Sequence, residues 1–467
     1  MVYKKWYTAY AVPIFILPNY WYLVKGWCCT SRVYFNEKVT IKRNTLLCYN
    51  KIITFFLYNK FSISMERKAL TILFFTLVLD MIGIGMIIPI VPIIFTDPTS
   101  SSFLLEGIAQ KYWYFLAGLT IAIFGLVQFF AAPILGELSD MYGRKKLLFL
   151  GVSVLAVSQF VFGVGIILKS LSLILISRII GGVASANFSI AQASIADISK
   201  PENRAKNFGL IGAAFGIGFV VGPVLGGYVA HFFNQAAAPF WLAGIFGIIN
   251  MISVFFFLPE TNLHNRLSAK KITFFKAFTN IKTAFTDNIS AHIYKANFFY
   301  FAGFAFFTSF SGLYLVNKYN ASEAQLGNYF AAVGIWIVIT QLVILRYVSA
   351  RRTSMQVLRI SMIIVAVTSA LTPFMPTLFL QYILLPFIAI PQGLSMANLT
   401  ALLSSSVPKE KQGIALGING SLSALSQGIV PVFGGILGGF LGVHFPFIVG
   451  GLCMLYAWYG VINFKSK

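Results

Sequence analysis

Charge is what this chain has least of. Only 10% of its 467 residues are charged, and just 13 are Asp or Glu. A soluble domain carries roughly 25% charged residues, so a water-soluble globule is excluded. Cysteine is nearly as scarce: Cys28, Cys29, Cys48 and Cys453 have neither metal-ligand spacing nor the pattern of a disulfide framework. Cys453 lies inside an apolar run and reads as a small packing residue. The four histidines, His231, His264, His292 and His444, fall near span ends or in loops, so no metal site is expected. A phosphate-cradling P-loop is missing, which argues against direct ATP drive and a nucleotide cofactor. Segments of about ten alternating residues are missing too, which argues against a transmembrane barrel.

What the chain has in excess is apolar surface. Hydrophobic residues make up 58% of it, and the mean hydropathy is +0.81. Runs of about 20 apolar residues recur, enough to cross a hydrocarbon core of about 30 Å as helices. The formal charge of +22 does not mark a nucleic-acid binder. The cations sit between apolar runs, as expected when Lys and Arg hold loops on the cytoplasmic side.

Residues 1–64 differ from the rest, being rich in Tyr, Trp, Lys and Asn. Pro13, Pro18 and Asn19 interrupt their apolar part, and no signal-peptide cleavage pattern follows. Met65-Glu66-Arg67-Lys68 then leads straight into a strong apolar run. Residues 1–64 are accordingly read as an atypical extension outside the native protein, with Met65 as the start. The rival reading is a basic, aromatic segment lying at the membrane interface.

Twelve spans are expected after Met65, near 69–95, 113–135, 147–168, 172–195, 208–230, 240–258, 293–316, 325–347, 356–376, 378–400, 413–440 and 443–464. Arg144, Lys145 and Lys146 follow the second, Lys200, Arg204 and Lys206 the fourth, and Arg351 and Arg352 the eighth. The intervening loops hold few cations, so both termini are expected in the cytoplasm. A polar middle loop, 259–292, separates 65–258 from 293–467, six spans each. The halves echo each other: Gly222-Pro223 and Gly226-Gly227 in the fifth span, Pro431 and Gly434-Gly435 in the eleventh. The expected fold class is therefore an all-α membrane protein, with twelve transmembrane helices in two pseudo-symmetric six-helix bundles.

Three local patterns carry functional information. The first is Gly136-Glu137-Leu138-Ser139-Asp140-Met141-Tyr142-Gly143-Arg144-Lys145-Lys146. A positive-inside loop explains its cations, but not its glycines and aspartate in this order. Gly136 and Gly143 permit a tight reversal, and Asp140 is suited to cap a helix and attract an arginine. The second is the glycine set of the fifth span, Gly209, Gly218, Gly222, Pro223, Gly226 and Gly227. Bare glycine faces allow close helix packing in lipid, and this reading is preferred to direct substrate contact. The third is Asp80 in the first span, with Arg178 in the fourth. A carboxylate in lipid is expensive, so it faces the interior and is a candidate for exchanging a proton, or else a structural ion pair. Gln128 and Gln341 are buried-amide candidates for a cavity, with interhelical hydrogen bonding as the alternative.

These patterns resemble the major facilitator superfamily. The second-to-third-span stretch is similar to its G-x-L-x-D-x-x-G-R-K/R signature, and the fifth-span glycines to its antiporter motif. The stretch from Asp80 to Pro92 resembles the first span of twelve-span drug:proton antiporters, notably tetracycline efflux proteins. The resemblance implies alternating access without a bound cofactor, driven by a proton gradient. Its implied partners are a small amphipathic compound, protons and the lipid bilayer, with the chain a monomer in a bacterial inner or plasma membrane. It also implies Asp80 as proton carrier, Arg178 as its electrostatic partner, and the loop Asp140–Lys145 as a latch between the two bundles. The tetracycline reading weakens at Val157-Ser158-Gln159-Phe160 and at 356–376, which lack the acids of that group, and at Ile337, which replaces a histidine. A metabolite symporter or uniporter is the alternative, and a polytopic enzyme acting on lipid is the alternative of another class. The intact mass of the natively expressed protein checks the start site. It is expected well below 51.6 kDa, and a mass at that value would show that Met65 is internal.

Overall fold

The computed structural model describes residues 66–199, 204–262, 291–407 and 412–463, together with Thr279 and Lys282. The extension 1–64, nearly all of the middle loop 259–292, and the segments 200–203 and 408–411 lie outside the described residues. The described residues belong to one compact unit, Glu66–Lys467.

Every regular element among the described residues is helical. Among them, twelve helices are long and apolar enough to cross a membrane: α1 Glu66–Thr96, α2 Gln110–Tyr142, α3 Arg144–Ile167, α4 Leu171–Ile198, α5 Asn207–Phe233, α6 Ala238–Phe257, α7 Ala291–Tyr319, α8 Glu323–Ser349, α9 Ser354–Phe374, α10 Leu378–Ser405, α11 Ala415–Phe440 and α12 Phe445–Ile462. Each expected span has its helix. The junction of the ninth and tenth is a short 3-10 turn, Thr372–Phe374, after which Thr377 caps α10 through Leu380 N. Ser322 with Gln325, and Thr353 with Gln356, form capping boxes that start α8 and α9.

One expectation changes. The signature stretch is not a loop. Helix α2 runs on to Tyr142 and α3 starts at Arg144, leaving Gly143 alone as the turn. Gly143 has φ = +100°, where a side chain would be strained. Gly136 is ordinary helix, and Asp140 lies in the last turn of α2 rather than at a helix start. Residues 136–142 prolong α2 despite Gly136, and the chain turns only at Gly143.

Two crossings join the first six spans to the last six most extensively: α2 with α11, and α5 with α8. They repeat one design. On α8, Gly327 lies against Pro223 O and Gly334 against Phe219 O, while Gly227 of α5 lies against Glu323 O. On α2, Gly118 lies against Pro431 O and Gly125 against Gln427 O, while Gly435 of α11 lies against Tyr114 O. A Cβ on Gly334 would stand 2.8 Å from Phe219 O, and one on Gly125 2.9 Å from Gln427 O. Both carbonyls lie four residues before a proline, which removes their helical donor. Each freed carbonyl is thus placed against the bare α-carbon of the crossing helix, where a weak Cα–H···O contact can form.

The seams do not run the full length of the helices. Successive spans reverse direction, so the Gly143 turn marks one end of the bundle. Towards that end, a methyl group added at Gly136, Gly209, Gly212, Gly417 or Gly420 would meet nothing within 4 Å. The four seam helices are therefore in backbone contact over the far half and splayed at the Gly143 end. Alanine at Gly118 must push Pro431 away, and is expected to cost about 1–3 kcal/mol by overpacking. Alanine at Gly212 meets open space and is expected to be neutral, or to stabilise by up to about 1 kcal/mol through helix propensity. Thermal unfolding of the purified variants checks the contrast.

Candidate functional site

Asp80 lies near the middle of α1 and is 8% exposed. Helix α1 is sandwiched. Its Met81, Gly85 and Met86 meet Gly218, Gly222 and Gly226 of α5. Its Asp80 and Gly83 face the other way, towards α3 and α6. The fifth-span glycines thus seat α1 rather than line a path, Gly227 serves the α8 seam, and Gly209 stands open.

The Asp80 carboxylate accepts a hydrogen bond from Asn250 Nδ2 of α6 at 3.1 Å. Asn187 of α4 also lies buried close to the carboxylate. Beside the carboxylate is a small cavity lined by Gln159, Gly83, Ala243 and Gly247, among others. Gln159 comes from the third-span stretch that carries no acid, and it is 3% exposed. Sequence reasoning did not single out these neighbours. Asn250 had a readable signal, as a lone amide in an otherwise apolar α6.

Arg178 is not the partner of Asp80. Its guanidinium stacks over Phe162 at 4.4 Å and faces Phe124 at 5.6 Å, with Phe162 in turn stacked on Phe240. It is 5% exposed, its Nε has no hydrogen-bond partner, and it makes no ion pair among the described residues. Aromatic faces stabilise the cation instead. The expected pairing fails because the two side chains project into different layers of the first six helices. Asp80 lies among amides between α1, α3 and α6, whereas Arg178 lies among rings between α2, α3 and α4.

Among the described residues, Asp140, Arg144 and Lys145 of the signature pair with groups of the first six spans and the segment after them. Arg144 Nη2 meets Asp140 at 2.5 Å, and Nε meets Asp197 of α4 at 3.0 Å. Its backbone N–H donates to Glu260 Oε1 at 3.0 Å, and Asn262 donates to Asp140 O. Lys145 lies over the Phe255 ring of α6. Among the described residues, the contacts of Asp140, Arg144 and Lys145 thus form a clamp within the first six helices, where a latch to the last six was expected.

Gln128 is half-buried and makes no hydrogen bond among the described residues. Gln341 is exposed, one turn beyond the last α8 contact with α5, and its amide reaches Gly393 O at 3.4 Å. It sits in a π-helical turn, Thr340–Ile344, a local break that recurs at functional sites. The last six spans hold buried polar pairs that were not anticipated: Tyr300 with Gln392, and Asn297 with Asn419.

Twelve spans, a bundle closed at one half and splayed at the other, and unpaired charges inside it define a polytopic transporter rather than an enzyme. The chain belongs to the Major Facilitator Superfamily, whose family description matches residues 73–431. It is 29% identical over 425 residues to multidrug resistance protein 1 of Bacillus subtilis, covering 86% of this chain and 100% of that one. It is 27% identical over 409 residues to the mouse major facilitator superfamily domain-containing protein 10, covering 79% and 86%. With the class C tetracycline resistance protein of Escherichia coli it shares 27% over 362 residues, covering 78% and 87%. Among solved structures, the human organic anion transporter MFSD10 superposes with a TM-score of 0.65 at 21% identity, over 85% of this chain and 99% of that one. A D-xylose-proton symporter superposes at 0.66 and 16% identity, over 87% and 98%. These superpositions show the fold.

Arg144 holds Asp140, Asp197 and the Glu260 contact together. Replacing it with Ala removes the guanidinium from between Asp140 and Asp197 and keeps the backbone N–H contact to Glu260. Because Asp140 is half exposed, the expected loss is about 1–3 kcal/mol rather than the full value of a buried pair. Arg144→Lys is expected to recover only part of it, since one ammonium cannot fork between two acids. Thermal unfolding of both variants measures this.

Proposed function

We propose that this protein exports a small amphipathic compound in exchange for protons, by alternating access. The observation that carries the reading is Asp80: a carboxyl group buried in a membrane span with no cationic partner among the described residues. An uncompensated carboxylate there is costly, and taking up a proton removes the cost. Asp80 is accordingly the proton carrier. Arg178, held on aromatic rings elsewhere in the first six helices, acts at a distance or on the substrate rather than as an ion-pair partner.

The two seams supply the movement. Contact over one half and separation over the other is one of the two arrangements that rocking of the halves requires. With the basic loops read as cytoplasmic, the splayed end and both termini face the cytoplasm in this reading, and the state described is open inward. Packing of the fifth-span glycines on α1 links the seam helix to the helix that carries Asp80. Names among the relatives support export of drug-like compounds, and the working unit is read as a monomer in a bacterial inner or plasma membrane.

Proteoliposomes with an imposed pH gradient test the proposal with a panel of amphipathic compounds, tetracycline included. Movement against the proton flow is expected, and Asp80→Asn is expected to reduce it to the level of empty vesicles. Movement with the proton flow would replace the export reading with symport. Unchanged transport by Asp80→Asn would overturn the role given to Asp80.

A further inference from the structure

A larger cavity, of about 490 Å³, lies in the last six spans at the end away from the Gly143 turn. The end of α7 lines it with Tyr314, Asn317 and Lys318, the α9–α10 junction with Phe374, and the α11–α12 turn with Val443 and His444. Its size is that of a small-molecule site, and neither the seams nor the proposed proton path use it.

Lys318 brings a positive charge to this cavity. Its Nζ donates to Pro373 O at 3.0 Å and to Met375 O at 2.7 Å, and lies over the rings of Tyr314 and Tyr319. These contacts fix the ammonium but do not neutralise it. Carbonyls and rings carry no net charge, and the two carbonyls take two of its three donors. No carboxylate is paired with Lys318 among the described residues. Residues 291–467 contain two acids, Glu323 and Glu410. Glu323 opens α8 beside Gly227 of α5, Glu410 falls outside the described residues, and neither lines the cavity.

Asn317 adds an amide and His444 an imidazole, both able to donate hydrogen bonds. The α11–α12 turn passes through Gly442 at φ = +114° and presents His444 with its ring 5.8 Å from that of Tyr314. Donors around an unneutralised cation call for an anion. The surroundings select which kind. Phe374 is 64% exposed, and Phe440, Leu441 and Phe445, next to the turn, are exposed as well. A cation beside bare aromatic side chains at a span end matches the composition of a membrane interface. A small inorganic anion would use only the cation. A phospholipid uses both, its phosphate on the cation and its acyl chains on the apolar rim. Lys318 is the one cation in the lining, which matches the single charge of a phosphodiester. A zwitterionic headgroup would bring a second, positive charge for which the lining has no acid.

We infer that this cavity binds the phosphate of a mono-anionic phospholipid, with Lys318 as its counter-charge and Asn317 and His444 as hydrogen-bond donors. Binding is measured without transport, so the inference stands or falls apart from the export reading.

The experiment uses the purified full chain in an uncharged detergent. It is titrated with short-chain phosphatidylglycerol, with phosphatidylcholine of the same chains, or with sodium phosphate. Native mass spectrometry counts the bound lipid, and thermal unfolding follows its effect. Phosphatidylglycerol is expected to bind saturably and to raise the unfolding temperature, as a ligand of the native state does. Phosphatidylcholine and inorganic phosphate are expected to do neither at the same concentration. Lys318→Gln is expected to raise the half-saturating concentration about fivefold, the share of one cation at a lipid surface. Lys318 also braces the α9–α10 turn, so His444→Asp is the second variant. The His444 side chain makes no capping hydrogen bond to α12, and an acid suits a helix N-terminus. His444→Asp is therefore expected to be as stable as wild type without lipid, and to lose the response to phosphatidylglycerol. Equal responses to phosphatidylglycerol and phosphatidylcholine overturn the inference. So does a response to inorganic phosphate that equals the lipid's, or a lipid response that His444→Asp leaves unchanged.

Discussion

Helices in lipid gain nothing by hiding apolar side chains from one another, because the tails around them are equally apolar. What holds them is the closeness of approach that small residues allow. In this protein the constraint is met at two crossings, α2 on α11 and α5 on α8, where glycine α-carbons touch carbonyls of the opposing helix. The prolines at 223 and 431 matter for the same reason. Each removes an internal hydrogen bond and turns the orphaned carbonyl towards a glycine across the seam. The echo between the fifth and eleventh spans is thus one joint built twice, and the register of its contacts is the same in both copies.

Because the joints are matched, opening one end is compatible with closing the other. The glycine faces of α5 and α11 continue past the last contact, at Gly212 and Gly209 and at Gly420 and Gly417, but there they meet nothing. Backbone contact thus holds one half of each crossing, and bare faces lie along the other. Helix α1 is the link inward: one face is locked on the α5 glycines, the other carries Asp80 into the interior of the first six helices.

That interior divides its charges. Asp80 is solvated by amides, Arg178 by aromatic rings, and the Arg144 cluster binds the ends of α2, α3 and α4 to the segment that follows α6. None of the ion pairs among the described residues bridges to the last six spans, whose buried polar contacts are neutral, as at Tyr300 with Gln392. In the last six spans Lys318 is held instead by the Pro373 and Met375 carbonyls and by the Tyr314 and Tyr319 rings.

The twelve spans and the twinned glycine-proline patterns were legible in the order of residues. Hydrophobic length and small-residue spacing are local properties, and they survive being read in one dimension. The reach of α2 to Tyr142 was not legible, because a stretch rich in polar residues reads as a loop until Gly143 is seen to make the turn alone. Asp80 could be singled out because a lone carboxyl in an apolar run is conspicuous. What surrounds it could not, since Gln159, Asn187 and Asn250 lie on three other helices. The pairing expected with Arg178 failed for the same reason. Sequence determines which groups must be buried in lipid; only the packing of α1, α3, α4 and α6 decides which face they turn to one another, because a helix's neighbours are set by the shape of all its faces at once.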